Sequence, residues 1–196
     1  MKKIFLILIS LAFIASTAAA QQQSAPTPPE NGPHKTYYDS GALQSVVKYK
    51  DGRLNGPAKY YYENGEVSAQ ITFKDGLRDG VEKIFHENGK LRRQAKFVNG
   101  LMEGTIKLYD NEEKLISEMN VVNGKREGLA RGLRPDGSIK EECVYENDLA
   151  QTCTYLDESG KLQAKSQRDP ENPKRTVYLT YDKDGNVTQA QQSIDE

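Results

Sequence analysis

Apolar and polar positions alternate along short stretches of this chain. Val67, Ala69, Ile71 and Phe73 fall on one side of one such stretch. Leu91, Ala95 and Phe97 do the same, interrupted by Arg93, and Leu115, Met119 and Val121 repeat the pattern around Ser117. Period-two alternation bounded by Gly-containing turns predicts β-strands rather than helices. The stretches also recur. Tyr37-Tyr38-Asp39-Ser40-Gly41, Tyr61-Tyr62-Glu63-Asn64-Gly65 and Phe85-His86-Glu87-Asn88-Gly89 follow one another at a constant step (61 − 37 = 85 − 61 = 24). Tyr109-Asp110-Asn111-Glu112-Glu113 lacks the glycine, and Leu133-Arg134-Pro135-Asp136-Gly137 restores it. Leu156-Asp157-Glu158-Ser159-Gly160 and Tyr181-Asp182-Lys183-Asp184-Gly185 continue the series with altered spacing.

A second signature falls inside each unit. It places paired glycines at Gly52 and Gly56, Gly76 and Gly80, Gly100 and Gly104, and Gly124 and Gly128, at the same step as before. The first glycine of each pair follows Asp or Asn, and such dipeptides supply the positive φ that hairpin turns require. Each unit therefore reads as two strands joined by one turn and followed by another. The predicted fold class is all-β: an elongated antiparallel meander of about six 24-residue units over residues 37–187, degenerate over 138–187. A lone hairpin is marginal in water, so stability must come from stacked neighbours.

The Asn-Gly-x-x-Glu-Gly turn and the Tyr-Tyr-Glu-Asn-Gly strand end resemble MORN-type repeats, and more closely the bacterial variant known as YwqK-type antitoxin repeats. The resemblance covers Tyr37 to Gly137 well and Ser138 to Val187 poorly. It implies an elongated, twisted β-sheet array and does not imply an enzyme. It also implies binding of phospholipid or protein partners, as MORN-type proteins have been linked to both.

The ends of the chain differ from this pattern. Lys2-Lys3, the apolar run Ile4 to Phe13 and Ala18-Ala19-Ala20 make a secretory signal peptide over residues 1–20. No cysteine follows the apolar run, so no lipid anchor is expected there, and the predicted location is periplasmic or secreted. Residues 21–36, polar and Pro-rich, read as a disordered linker, and residues 188–196 as a flexible tail. Hydrophobic residues make up only 36% of the chain, which suits a thin sheet with much of each strand facing water. The net charge is −1, giving no global electrostatic reason to bind nucleic acid. No later run is long and apolar enough to span a membrane as a helix.

Cys143 and Cys153 flank the turn centred on Asp148, where Asp148 and Thr152 replace both signature glycines. In an oxidising compartment an even pair points to a cross-strand disulfide stapling that hairpin, with a reactive thiol pair as the alternative. A bulge in the turn would put the sulfurs on opposite faces. Counting by 24 places Cys153 in the position of Val81, Thr105 and Leu129.

No catalytic constellation is legible, and none is expected. His34 lies in the expected linker and His86 occupies a repeat slot shared with Tyr62 and Asp110. No metal-ligand spacing and no cofactor motif occur, and Asp182 to Asn186 reads as a turn before it reads as a calcium loop. One column stands out. Lys59, Lys83, Lys107 and Arg131 recur once per unit at the repeat step, flanked by Tyr61, Phe85 and Tyr109. Strands two apart lie about 10 Å from one another, so these cations should line one face. They form either a solvated face or a stripe for an anionic polymer or lipid headgroup. The expected function is an exported, non-enzymatic scaffold that binds a protein or an anionic envelope component. The alternative is a periplasmic immunity or antitoxin-like protein, and self-association through sheet edges fits either.

Overall fold

The computed structural model describes residues 29–194. The expected signal peptide and residues 21–28 of the expected linker lie outside them. The strands are β1 (Gly32–Tyr37), β2 (Leu43–Lys50), β3 (Arg53–Leu54), β4 (Gly56–Tyr61), β5 (Val67–Lys74), β6 (Leu77–Arg78), β7 (Gly80–Phe85), β8 (Leu91–Val98) and β9 (Leu101–Met102). They continue as β10 (Gly104–Tyr109), β11 (Leu115–Val122), β12 (Lys125–Leu133), β13 (Ile139–Glu146), β14 (Leu149–Leu156), β15 (Leu162–Arg168), β16 (Arg175–Tyr181) and β17 (Val187–Ile194). All seventeen belong to one open antiparallel sheet, and no helix occurs among the described residues. The pairs β3 and β4, β6 and β7, and β9 and β10 are each one rung interrupted at a single residue. The sheet therefore has fourteen rungs and, at about 4.8 Å per rung, a length of about 60 Å.

The signature turns explain the register. Asp51 and Gly52 sit at φ 50° and 67°, and Asp75 with Gly76, Asn99 with Gly100 and Asn123 with Gly124 repeat this left-handed pair. Two positive φ values define the turn whose twist matches flanking strands. Beside the first turn Lys50 faces Arg53, but farther along Val46 faces Lys59. Two extra residues have entered the second arm. Because side chains alternate with period two, a slip of two keeps the apolar set on its own face. That is what the second signature glycine accommodates: Gly56 and Gly80 take φ 96° and 117°.

One face carries the core. Val47, Ala58, Ala95, Phe97, Ile106, Val121, Cys143 and Cys153 are buried there. Its densest part is Ala95, Phe97, Ile106 and Val121, with Met102, Leu108 and Met119 packed against them.

Three expectations change. The linker gives way at Gly32, because Glu30 to Gly41 is itself a half unit. Asn31-Gly32-Pro33 matches Asn55-Gly56-Pro57, and Lys35 matches Lys59. Proline content concealed a strand that pairs with β2 from Gly32↔Tyr49 onward. The Gln-rich tail is likewise a strand, β17, paired with β16 from Tyr181↔Val187 to Arg175↔Ile194. An outermost rung pairs through its backbone and needs few apolar side chains, and Thr180 and Thr188 share a hydroxyl hydrogen bond of 2.9 Å across it.

The third change concerns the cysteines. Cys143 does face Cys153, and the two form a disulfide with Cα atoms 4.1 Å apart. The route differs from the expected one. The turn is the two-residue Asn147-Asp148, with φ 49° and 70°, and it would not align the sulfurs by itself. A one-residue bulge at Gln151, where Tyr145 faces Ala150 but Val144 faces Thr152, shifts the register and brings them together. The bulge thus makes the alignment instead of breaking it. The fifth unit, from Leu133 to Leu156, is one residue short of 24. Cys153 accordingly shares the buried row of Ala58, Glu82, Ile106 and Ala130, not that of Val81, Thr105 and Leu129.

Candidate binding face

The face opposite the core carries an unbroken row of paired side chains. Lys35 faces Val46, which faces Lys59, then Gln70, Lys83, Gln94 and Lys107 in successive rungs. Lys59 and Lys83 are exposed, each with a glutamine beside it. Lys35 adds a cation that the linker reading had removed. Lysines two rungs apart lie about 10 Å from each other, so the line from Lys35 to Lys107 runs about 30 Å.

The row then changes character. Lys107 faces Glu118, and Glu118 faces Arg131, which faces Glu142. Arg131 is held from both sides, with Nε donating to Glu142 Oε2 at 2.8 Å and Nη1 3.6 Å from Glu118 Oε1. It is part of a charge ladder, and the cationic stripe ends at Lys107. Farther on, a shallow depression of about 360 Å³ opens between Lys165, Val177, Leu179 and Tyr181.

Tyr61, Phe85 and Tyr109 stand two residues along from the lysines, half-buried, where a bulge ends each strand. Their structural use is through the backbone. The Tyr38 hydroxyl donates to the Tyr61 carbonyl at 2.7 Å, and the Tyr62 hydroxyl to that of Phe85 at 2.7 Å. His86 continues the series, with Nε2 3.0 Å from the Tyr109 carbonyl oxygen. Arg134 does the same to Leu156. This tie between units is a column that the repeat signature contained and that sequence reasoning passed over, although Tyr38, Tyr62 and His86 keep the repeat step. His86→Tyr is expected to preserve stability, and His86→Ala to cost about 1 kcal/mol in urea denaturation.

Where that slot holds aspartate, the carboxylate turns inward on its own loop. The Lys114 N–H holds the Asp110 carboxyl below the usual carboxylate range, and the Asn186 N–H does so for Asp182. The Ser159 hydroxyl lowers Asp157 in the same way. The Asp182 carboxylate, a part of the calcium reading, is thus engaged by the N–H groups of Asp184 and Asn186, both at 2.9 Å. A lowered folded-state value gives stability that is present above the unfolded value of about 3.9. That stability is lost as pH falls through the folded value. The urea midpoint should therefore stay level from pH 7 to about 4 and drop below it.

The turn glycines sit where positive φ is needed, and the fifth hairpin replaces the first with Asp148. Its side-chain oxygen accepts from Arg126 N at 2.8 Å and Arg126 Nε at 3.1 Å. The remaining histidine, His34, packs edge-to-face on Tyr49 at 6.1 Å between ring centres. Among the described residues no group of three or more metal-ligating side chains comes together.

The units repeat a turn, a bulge and an inter-unit tie at fixed spacing. Three consecutive units match the MORN repeat variant. The matched segments are residues 30–51, 54–75 and 78–99. The first MORN segment begins at Glu30, inside the segment read as linker, which agrees with β1 being half a unit. No curated protein matches the chain. Among solved structures, TarM shares 15% identity with a TM-score of 0.33, over 49% of this chain and 20% of that one. The glycosylation-associated Gap123 complex from Streptococcus agalactiae shares 18% with a TM-score of 0.31, over 68% of this chain and 20% of that one. The chain thus spans about a fifth of the length of these solved structures.

Proposed function

We propose that this chain is a non-enzymatic MORN-repeat scaffold, exported to the cell envelope, that binds an extended anionic polymer along its outer face. The observation that carries the reading is the Lys35–Lys59–Lys83–Lys107 row, with Gln70 and Gln94 between cations. An ammonium about every 10 Å, with an amide donor between successive lysines from Lys59 to Lys107 and Val46 between Lys35 and Lys59, suits a chain bearing regularly spaced negative groups. The ligand would cross the strands and follow the long axis of the array. The closer likeness to YwqK-type repeats rests on the Asn-Gly-x-x-Glu-Gly turn and supports a binding module in the same way. Export is supported by residues 1–20, and the Cys143–Cys153 disulfide suits an oxidising compartment. Both histidines and both cysteines have structural partners, which supports a non-catalytic role.

The test is binding of long-chain polyphosphate, followed by titration calorimetry at two salt concentrations. Wild type should bind in a salt-sensitive manner, and Lys59→Glu with Lys83→Glu should weaken binding at least about tenfold. Equal binding by wild type and the reversed variant would remove the stripe as the site.

A further inference from the structure

The two end strands of the sheet are the two halves of one repeat. Among the described residues β1 pairs only with β2, and β17 only with β16. Their identities within the unit are complementary. β17 is a first arm: Val187 follows Asp184-Gly185-Asn186 as Val67 follows Asn64-Gly65-Glu66. β1 is a second arm, since Asn31-Gly32-Pro33 corresponds to Asn55-Gly56-Pro57. Within the array a first arm is always followed by a second arm on its far edge. β2 receives β4 with Ser45↔Tyr60 and Val46↔Lys59, and β5 receives β7 with Ala69↔Ile84 and Gln70↔Lys83.

We infer that copies of this chain associate head to tail, β17 of one copy pairing with β1 of the next and completing a unit across the interface. The register follows from the array. Gln189 would face Thr36 of the next copy, and Ala190 would face Lys35 of the next copy.

The usual obstacles to edge pairing are absent. A proline on an edge commonly blocks a further strand, but Pro57 occupies the same column with strands on both sides. Lys35 corresponds to Lys59, which is inside the sheet. Gly32 keeps φ 102°, the conformation that Gly56 and Gly80 use to fit the bulge against a preceding arm. On β1 that preceding arm is the one missing. Tyr37 is 58% exposed, whereas its counterparts Tyr61, Phe85 and Tyr109 are half-buried with a preceding unit beside them. The contact joins two different surfaces by the same step that relates units within the chain. Such a heterologous interface propagates as an open filament instead of stopping at a dimer.

The native disulfide supplies the measuring device. Cys143 is the fifth residue of a first arm, and Gln191 holds that place in β17. Cys153 lies three residues before the end of its arm, as His34 does in β1. Gln191→Cys with His34→Cys should therefore place two thiols face to face across the junction. Within one molecule the two positions lie about 60 Å apart. The protein is to be purified as the cell processes it, then examined by sedimentation velocity and by non-reducing electrophoresis after mild oxidation.

The expected result is a mass that rises with concentration past the dimer, and a reducible ladder from the double variant. Gln189→Cys with His34→Cys, two residues out of register, should cross-link about tenfold less. A monomeric mass at every concentration overturns the inference. So does a mass that stops at dimer, the lack of a ladder, or equal cross-linking by the two variants.

Discussion

Arg93→Ala is expected to destabilise the protein by about 3 kcal/mol, more than Glu82→Ala does. Glu82 occupies the row that holds Ala58 and Ile106 in neighbouring units, and it is only 2% exposed. It is tolerated because two guanidinium groups reach it. Arg78 Nη1 donates at 3.0 Å, and Arg93 Nη2 contacts the other oxygen. Arg78 also lies over the Phe97 ring, 4.6 Å from its centre. Removing Arg93 leaves a buried carboxylate with one partner, and a buried charge without compensation is costly. Removing Glu82 leaves two arginines whose side chains are 45% and 30% exposed and which can turn to water. The double change Glu82→Ala with Arg93→Ala would give this unit the residues of Ala58 and Ala69. It should come within about 1 kcal/mol of wild type, since replacing a whole buried ion pair by apolar residues is commonly near neutral. Urea denaturation of all three variants reads this directly. Additive single effects would remove the coupling.

Reduction of the Cys143–Cys153 bridge should lower stability by about 2–3 kcal/mol, because the bond closes a loop of 10 residues in the unfolded chain. For a domain of this size that is roughly a 5–10 °C fall in melting temperature. Because neighbouring repeats stabilise one another locally, the loss should concentrate in the rungs from β12 to β15. Hydrogen exchange with and without reductant should show protection lost there first. Uniform loss along the sheet would contradict this.

The architecture was legible because its information is local. Asp-Gly and Asn-Gly turns and period-two strands recur often enough to be counted. What escaped reading was partial or shifted repetition. Asn31-Gly32-Pro33 was hidden by the prolines that precede it, and β17 by its glutamines. The pairing of Cys143 with Cys153 could be read by symmetry about Asp148, but not the bulge at Gln151, because counting by 24 fails in a unit that is one residue short. The lysine row was visible as a spacing. Its end at Lys107 was not, since Glu118 and Glu142 meet Arg131 only through strand pairing.

The ties between units reach only a short way along the chain. Tyr38 to Tyr61, Tyr62 to Phe85 and His86 to Tyr109 each span 23 residues, and the signature side chains of Asp79, Glu103 and Glu127 cap the turn 20 residues on. In kinetic terms this is a sheet without the slow step of most sheets. No rung waits for a distant segment, so folding can start at any hairpin and advance one unit at a time, with a loop-closure cost that stays the same however long the array grows.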